Sequence, residues 1–565
     1  MARSGPHFMS VFSGFVLLSV NIIVHGDPLR FRAHNAVPFS FASYYGDHMV
    51  LQQAQKSAIW GYHPENGAKV TVNLIANDAG TIIQTLSVMS RPGPVAGQFV
   101  WSAAIDGPKA DSEAVFRVTA KSGSDVIMLK DVLFGDVWIC SGQSNMQFSM
   151  SMVNNSKEEL MNLEQYNRIR VFTLKQVESA TPLYDFASGS IEELWSVPST
   201  STIGGPDWKY MSAVCWLYGK NIFNGLGRKV PIGLVASDWG GTPVEAWSSP
   251  DSLAACNISQ HANSNDKTSN VIQDGLFVDA PGTPSHLWNS MIHPFLNMSI
   301  YGAIWYQGEA NAGAPDTYNC TFPTMIEDWR MKFHEATNGA TDPYFPFGFV
   351  QLAAWREGKN YTHGFPDIRW HQTADVGYVP NYRMKKVFMA VAMDLPDDTS
   401  PYSAIHPRDK QDVAQRLALS GLNIAYGKPT TYHGPTITAY FIDIGFYTLK
   451  IGLSMKIDKP HSNDGFEVCC SKDNQTYCGS GNAFWSPAPL IGYDQHSVTM
   501  SWKTCSGSWI VGLRYAWLET PCAFKQCPVY SVINELPMAP FVTNGLIGGG
   551  RVGQDGPQYL QGTLN

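Results

Sequence analysis

The sequence is poor in charge. Only 15% of its 565 residues are Asp, Glu, Lys or Arg, against roughly 25% in an average soluble domain. With 44% hydrophobic residues, this composition excludes disordered and fibrous classes. The 39 basic and 47 acidic residues give a formal net charge of −8, and no run of Lys and Arg stands out. We therefore expect no nucleic-acid partner.

Three further patterns are absent. No low-complexity tract and no repeat of fixed period occurs, which excludes a solenoid. No CxxC pair occurs, so we expect no metal site. After the N-terminus, no second stretch of 18 or more apolar residues follows. We therefore expect no membrane span in the mature chain.

The N-terminus resembles a secretory signal peptide. Residues 9–24 are uncharged and largely apolar, and Arg3 precedes them. Val24 and Gly26 are small residues at suitable −3 and −1 positions, which predicts a signal peptide over residues 1–26. The alternative is a signal anchor, because the run is only slightly shorter than a spanning helix.

Cysteines and glycosylation sequons agree with passage through the secretory pathway. The ten cysteines are an even number, and six of them lie in the last 100 residues. This pattern favours disulfides, although the sequence does not give their pairing. Because lysosomal delivery and secretion share the same signal, either destination remains open. The Asn-x-Ser/Thr sequons begin at Asn154, Asn257, Asn297, Asn319, Asn360 and Asn474.

Residues 131–428 differ in pattern from the residues on either side. Short alternating runs separated by Gly, Pro and Asn turns predict an N-terminal β-sandwich over 37–130. β-type runs and the cysteine cluster return over 429–545, and a tail covers 546–565. In between, continuous apolar runs alternate with helical segments, which predicts an α/β region with a parallel sheet covered on both faces. The apolar runs include 230–236, 300–305, 345–350 and 387–392, and the helical segments include 210–223, 322–336 and 407–422.

Ser144 is a candidate nucleophile. It lies in Gly142-Gln-Ser-Asn-Met, directly after a predicted strand, where open α/β sheets bind ligands. A serine needs a neighbouring base to react. Met146 occupies the place of the second glycine of G-x-S-x-G, which argues against an α/β-hydrolase elbow. The alternative is a serine that only caps a helix.

Two more clusters follow predicted strands. Residues 238–247 contain the adjacent glycines Gly240 and Gly241, which permit close approach of the backbone to a ligand. A plain strand–helix turn would explain them equally well. The other cluster contains Gln307, whose side-chain amide could donate to an oxyanion. We interpret the neighbouring Glu309 as structural.

His406 is the candidate base. It precedes Pro407 at the start of a predicted helix, and a neutral imidazole suits the activation of Ser144. A purely structural histidine is the alternative. The acidic residues that could orient its ring are Asp394, Asp397 and Asp398.

These motifs occur in the chain order of the SGNH, or GDSL-like, hydrolases. The amino-acid sequences of the motifs resemble those of the carbohydrate-esterase branch of that superfamily. Within this branch the resemblance is specifically to the animal sialate O-acetylesterase family of lysosomal or secreted type. The resemblance extends from about residue 38 to 545. It implies a flavodoxin-like three-layer α/β/α domain flanked by β-sandwich-like regions. The matching segments are VWICSGQSNMQ, LVASDWGGTPVEAWSS, HLWNSMIHPF, IYGAIWYQGEAN and SAIHPRDKQDVAQRLAL.

The resemblance implies a role for each motif residue. Ser144 corresponds to the nucleophile and His406 to the base. The N–H groups of Ser144 and Gly241 and the side chain of Gln307 correspond to the oxyanion donors. The superfamily commonly has an acid three residues before the histidine, whereas this sequence has Ser403. Either Asp394 or a backbone carbonyl would then orient the imidazole.

The resemblance also implies the reaction: removal of 9-O- and 7-O-acetyl groups from sialic acids, free or on glycoconjugates, without metal or organic cofactor. A guanidinium could bind the sialate carboxylate, and Trp305 could stack on sugar. The arginine candidates are Arg369 and Arg408, and an ion-pair or core role is the alternative for all three residues. An enzyme that works in an acidic lumen would need a lowered pKa of His406; the alternative is an enzyme that prefers neutral pH. The remaining alternatives are an esterase for another acetylated carbohydrate and a non-catalytic carbohydrate-binding glycoprotein.

Overall fold

The computed structural model describes residues 37–76, 80–110, 113–259, 281–356, 358, 360–473, 477–479 and 481–544, together with the backbone of 271–273, 276–278, 545–549 and 559–562. The expected signal peptide, the sequon at Asn474 and most of the tail over 546–565 lie outside the described residues.

Antiparallel strands form the N-terminal region. In β4 the side chains of Val70, Val72 and Leu74 are buried and alternate with more exposed ones, as expected for a strand with one face on a core. Strand β3 pairs with β7 along its whole length, and β4 lies between β5 and β8. The strands are β1 (Ser40–Phe41), β2 (Val50–Gln52), β3 (Lys56–His63), β4 (Lys69–Ala76), β5 (Ile82–Met89), β6 (Arg91–Pro92), β7 (Phe99–Asp106) and β8 (Phe116–Ser122).

One long strand, β9 (Asp125–Gly142), passes from this region into the central sheet. Its first half pairs antiparallel with β8, and its second half pairs parallel with strands on both sides. Every residue from Val132 to Gly142 is buried. This strand delivers the segment that ends at Ser144 into the middle of the sheet.

The central sheet has the order β11-β10-β12-β9-β15-β16-β17. All neighbouring pairs in it are parallel except β10 and β11. This arrangement confirms the mixed α/β class predicted from the continuous apolar runs. The remaining strands of this part of the chain are β10 (Ile169–Leu174), β11 (Ile191–Ser196), β12 (Ile232–Asp238), β13 (Val271–Gln273), β14 (Leu276–Val278), β15 (Gly302–Tyr306), β16 (Phe347–Gln351) and β17 (Val387–Val391).

Helices contact both faces of the sheet. On one face the ring of Trp138 meets Tyr218 of α3, and on the other Trp305 meets Trp329 of α5. The alternation of side chains along β9 and β15 places Trp138 and Trp305 on opposite faces. The helices are α1 (Ser144–Gln147), α2 (Ser156–Glu159), α3 (Ala213–Gly225), α4 (Pro250–Ala255), α5 (Tyr318–Ala336), α6 (Phe365–His371) and α7 (Lys410–Ile424).

The C-terminal region consists of two antiparallel sheets around a second core. Their orders are β22-β23-β19-β18-β26 and β21-β20-β24-β25. The strands are β18 (Ile437–Asp443), β19 (Thr448–Leu453), β20 (Phe466–Ser471), β21 (Phe484–Pro487), β22 (Leu490–Asp494), β23 (Ser497–Ser501), β24 (Trp509–Tyr515), β25 (Phe541–Gly549) and β26 (Tyr559–Gly562).

All ten cysteines form disulfides, which confirms their predicted use and supplies the pairing. The first bond joins β9 to α3 four residues before Ser144. Five disulfides are typical of proteins from oxidising compartments. None of the helices described here is both long and apolar enough to cross a membrane. The pairs are Cys140–Cys215, Cys256–Cys320, Cys469–Cys478, Cys470–Cys505 and Cys522–Cys527.

Candidate active site

The carboxyl ends of three neighbouring parallel strands bring the motifs together. Gly142 at the end of β9 is in register with Asp238 of β12 on one side and with Tyr306 of β15 on the other. The segments that contain Ser144, Gly241 and Gln307 therefore leave the sheet at the same edge, which is where open parallel sheets bind ligands.

The turn after β9 requires its glycine. Gly142 has φ +140°, and a Cβ there would lie 2.2 Å from the carbonyl oxygen of Tyr306. The next N–H, from Gln143, donates to that same oxygen at 2.9 Å. The Gln143 side chain accepts from the N–H of Ala310 at 3.1 Å. These bonds fix the backbone that carries Ser144, the first residue of α1.

Ser144 and His406 form a hydrogen-bonded pair although 262 residues separate them. The Ser144 Oγ lies 2.8 Å from His406 Nε2, and His406 Nδ1 lies 2.6 Å from the carbonyl oxygen of Tyr402. Because a carbonyl only accepts, Nδ1 carries the ring proton. Nε2 is therefore the atom that can accept the hydrogen bond of the Ser144 hydroxyl, which is the geometry that a nucleophile–base pair requires.

Burial lowers the pKa of His406 from its usual 6.5 to about 4. Ser144 and His406 are buried, with only 2% and 1% of their surface exposed. Loss of hydration is the main cause, the positive charge of Lys410 adds to it, and the Tyr402 carbonyl opposes it. The imidazole therefore stays neutral down to a pH of about 4 and can accept a proton above that pH.

Hydrogen bonds within the loop before α7 hold the main chain of His406, and an aromatic ring packs against its imidazole. The Ser400 hydroxyl donates to the carbonyl of His406 at 2.8 Å, and the His406 N–H donates to the carbonyl of Ser403 at 2.9 Å. The half-buried ring of Trp208 meets the imidazole edge to face at 5.0 Å. Trp208 stands in no motif, so its sequence context gave no signal for this contact.

Asp394 does not contact His406. Its carboxylate accepts from Arg416 at 2.6 and 3.0 Å and from the hydroxyl of Tyr530 at 2.9 Å. The carboxylate of Asp397 likewise accepts two hydrogen bonds from the guanidinium of Arg408. The contact to Nδ1 comes instead from a main-chain carbonyl, the other of the two arrangements left open by the sequence.

Two backbone N–H groups beside Ser144 are available to an oxyanion. Gly240 N–H donates to Gln147 Oε1 at 2.9 Å. The N–H groups of Ser144 and Gly241 donate to no group in the described part of the chain. Gly241 has φ +74°, and a Cβ on Gly240 would lie 3.2 Å from that of Ser144. The glycine pair thus allows this close approach.

Gln307 is fully buried and uses both of its amide hydrogens within the protein. Its Nε2 donates to the Thr242 carbonyl at 3.1 Å and to Asn311 Oδ1 at 2.7 Å. Its Oε1 accepts from the Tyr318 hydroxyl at 2.9 Å. Gln307 therefore holds the main chain in place at Thr242, the residue that follows Gly241.

Of the three substrate-binding candidates, only Arg408 has a partly exposed side chain. Its side chain is 28% exposed and forms a bidentate pair with Asp397. Trp305 is buried in an aromatic cluster with Trp247 and Trp329. Arg369 is fully buried and donates to main-chain carbonyls. These carbonyls belong to Leu352, Ala353, Leu518 and Glu519.

The described sequons differ in exposure. Asn154, Asn257 and Asn360 are exposed, and Asn297 is half-buried. Asn319 is also half-buried, and its amide donates to Asp375 at 2.7 Å.

Comparisons with known proteins identify relatives over most of the chain. The family model described as carbohydrate esterase, sialic acid-specific acetylesterase, matches residues 134–418. A second model, the sialate O-acetylesterase C-terminal domain, matches 440–545. The chain is 41% identical over 513 residues to sialate O-acetylesterase of Homo sapiens, covering 90% of this chain and 92% of that protein. It is 38% identical over 565 residues to the Mus musculus protein of the same name, covering 96% and 98%.

Among solved structures, a carbohydrate acetylesterase from Xanthomonas citri superposes with a TM-score of 0.68 at 25% identity. The match covers 89% of this chain and 99% of that one.

Proposed function

The chain belongs to the sialate O-acetylesterase family of carboxylic ester hydrolases, and from that premise we propose that it removes 9-O- and 7-O-acetyl groups from sialic acids, free or on glycoconjugates. The observation that carries this proposal is the hydrogen bond of 2.8 Å between Ser144 Oγ and His406 Nε2. Both residues lie within the segment that the acetylesterase family model matches.

Ser144 Oγ attacks the carbonyl carbon of the acetyl group while His406 Nε2 takes the hydroxyl proton. The N–H groups of Ser144 and Gly241 donate to the resulting oxyanion. Gln307 becomes a third donor by exchanging its hydrogen bond to Thr242 or Asn311 for the oxyanion.

The ester bond then breaks, and His406 returns the proton to the departing sugar oxygen. Water attacks the acetyl group on Ser144 and gives its proton to His406. Acetate leaves as the proton returns to Ser144 Oγ. The Tyr402 carbonyl keeps the imidazole in one tautomer throughout. Asp394 therefore contributes to stability rather than to proton transfer.

Arg408 is our candidate for recognition of the sialate carboxylate. It stands two residues after the base, and its guanidinium is partly exposed. Binding would replace the Asp397 carboxylate by that of the substrate, in the same bidentate geometry. The alternative, an esterase for another acetylated carbohydrate, is favoured by the Xanthomonas citri neighbour, a carbohydrate acetylesterase.

We also propose the finer organisation of the chain. The central sheet and its helices correspond to the three-layer α/β/α domain of SGNH hydrolases, over 131–428. β-rich regions over 37–130 and 429–545 flank it, and residues 1–26 are a signal peptide. Five disulfides and the exposed sequons support a glycoprotein that is lysosomal or secreted.

The test uses the secreted chain and its Ser144→Ala variant. Acetate release is followed from 9-O-acetyl-N-acetylneuraminic acid, p-nitrophenyl acetate and acetylated xylan. We expect release from the sialic acid by the wild type and none by the variant. Release from xylan alone would move the enzyme to the alternative substrate class. A folded wild type that hydrolyses none of the three would refute the proposal.

A further inference from the structure

A buried polar cluster lies directly behind the serine–histidine pair. The ammonium group of Lys410, a fully buried residue, donates to Asn145 Oδ1 at 2.6 Å. Asn145 Nδ2 donates to Glu309 Oε1 at 2.7 Å and to the carbonyl oxygen of Ile405 at 2.9 Å. Both amide hydrogens and the amide oxygen of Asn145 are therefore in use.

The cluster joins three of the segments that form the site. Asn145 directly follows the nucleophile in sequence, and Ile405 directly precedes the base. Glu309 lies in the turn after β15, and Lys410 is the first residue of α7. Because one amide bonds to all three partners, a shift of any segment breaks at least one of these hydrogen bonds.

Placing these charged groups in apolar surroundings costs desolvation free energy. The Lys410 ammonium lies 4.6 Å from the ring centroid of Phe148 and 5.4 Å from that of Tyr306. Burial lowers the pKa of Lys410 to about 7 and raises that of Glu309. Lys410 and Glu309 are linked only through Asn145, and charged groups taken out of water are a weak source of stability, since desolvation offsets most of the attraction. Such a link is best explained by the geometry that it imposes.

We propose that Lys410 is a positioning residue for the esterase reaction: through Asn145 it keeps Ser144 and His406 at hydrogen-bond distance. The inference rests on the proposed function, because it assumes that these two residues are nucleophile and base.

Lys410 also acts on His406 through its charge. The groups that face Lys410 are Glu309, Asp397 and Asp409, the Tyr306 ring and the imidazole itself. The positive charge disfavours protonation of the imidazole. Removal of Lys410 should therefore both loosen the serine–histidine contact and raise the pKa of His406. A lysine that served stability alone would leave the serine–histidine contact and kcat unchanged.

The experiment compares Lys410→Met, Asn145→Ser and Glu309→Gln with the wild type on p-nitrophenyl acetate. For Lys410→Met we expect kcat to fall by about 10- to 100-fold, since small displacements of reacting groups have effects of this order. KM should change by less than about threefold, since the cluster does not line the substrate site. The acid limb of the kcat/KM profile should move to higher pH.

The other two variants separate position from charge. Asn145→Ser removes the link but retains the lysine, so kcat should fall with little movement of the acid limb. Glu309→Gln keeps an oxygen that can accept from Asn145, so its loss of kcat should be smaller. Lys220→Met is the matched control, because Lys220 forms a half-buried ion pair with Glu159 on α2 and touches neither Ser144 nor His406. It should leave kcat and the pH profile unchanged.

Phosphonylation of Ser144 by a fluorophosphonate provides a readout that needs no ester turnover. We expect Lys410→Met and Asn145→Ser to react more slowly than the wild type. If the wild type is phosphonylated but hydrolyses no acetyl ester, the proposed function fails, and the labelling rates still decide on the cluster. If both variants label and turn over like the wild type, the inference is overturned. If Lys410→Met does not fold, Asn145→Ser carries the decision.

Discussion

The lowered pKa of His406 predicts an esterase that retains activity in acid. Only the neutral imidazole accepts the proton of Ser144. With a pKa of about 4, about 90% of the imidazole is neutral at pH 5. With the usual value of about 6.5, only about 3% would be neutral. The lowered pKa, which burial and the charge of Lys410 produce together, thus accounts for a difference of roughly 30-fold in active enzyme at pH 5, in the direction of higher activity.

The assay is the pH dependence of kcat/KM for p-nitrophenyl acetate, because this substrate has no group that ionises in the range. Product is followed at the isosbestic wavelength, and far-UV circular dichroism verifies that the protein stays folded at each pH. We expect the acid limb near pH 4. A limb between pH 6 and 7 in folded protein would refute the reasoning, since His406 would then titrate as an exposed imidazole.

The same pKa has a consequence for stability with a definite sign. Between about pH 6.5 and 4 the unfolded chain binds a proton on His406 that the folded chain does not. The free energy of unfolding therefore decreases as the pH falls through this window, by about 3 kcal/mol in total. A His406→Asn variant lacks this contribution. Urea unfolding at pH 7 and 4.5 should show a smaller loss of stability for the variant than for the wild type, and equal losses would contradict the assignment.

Three further predictions concern residues around the site. Asp394→Asn should lower the melting temperature but leave kcat within about threefold, whereas loss of a triad acid lowers kcat by roughly 10⁴-fold; thermal unfolding and kcat distinguish the two cases. Gly241→Ala, at φ +74°, should lower kcat by about 10²-fold, because it displaces an oxyanion donor. The rate of fluorophosphonate labelling should fall no further than kcat does, whereas loss of the nucleophile would abolish labelling. Arg408→Met should raise KM for the sialic acid ester but leave KM for p-nitrophenyl acetate unchanged, as steady-state kinetics on the two substrates would show.

The sequence was sufficient to predict the strands that carry the motifs, because their apolar runs are long and each ends in glycine or a polar residue. The grouping of Ser144, Gly241 and His406 in one site was predicted through the resemblance to SGNH hydrolases, which assigns a role in the same site to each of them. The α/β class followed from the pattern of apolar runs.

The contact that orients His406 was not predictable from residue types. A carbonyl oxygen belongs to every residue, so nothing in the sequence distinguishes that of Tyr402. Its position depends on a loop in which Ser403 adopts φ +72°. Asp394 appeared suitable because carboxylates commonly orient histidines, and the sequence does not reveal that Arg416 binds it.

Burial was equally hidden from the sequence. Arg369 and Arg408 are both cations near helix termini, yet one is fully enclosed and the other partly exposed. The disulfide pairing is also a property of the fold. Cys469 and Cys470 are neighbours on β20, and side chains of consecutive strand residues point to opposite faces. They therefore pair with different partners, 9 and 35 residues away.

The buried guanidinium of Arg369 makes the stability of the esterase region depend on the C-terminal region. Two of its four carbonyl acceptors, those of Leu518 and Glu519, come from beyond residue 428. A fragment that stopped at 428 would leave this guanidinium with only half of its carbonyl acceptors, which would lower the stability of the esterase region. Inherited changes in the distant β-sheets would then reduce the amount of enzyme rather than its turnover number. Surveys of natural variants should accordingly measure protein abundance alongside specific activity, because activity per molecule alone would miss this class of defect.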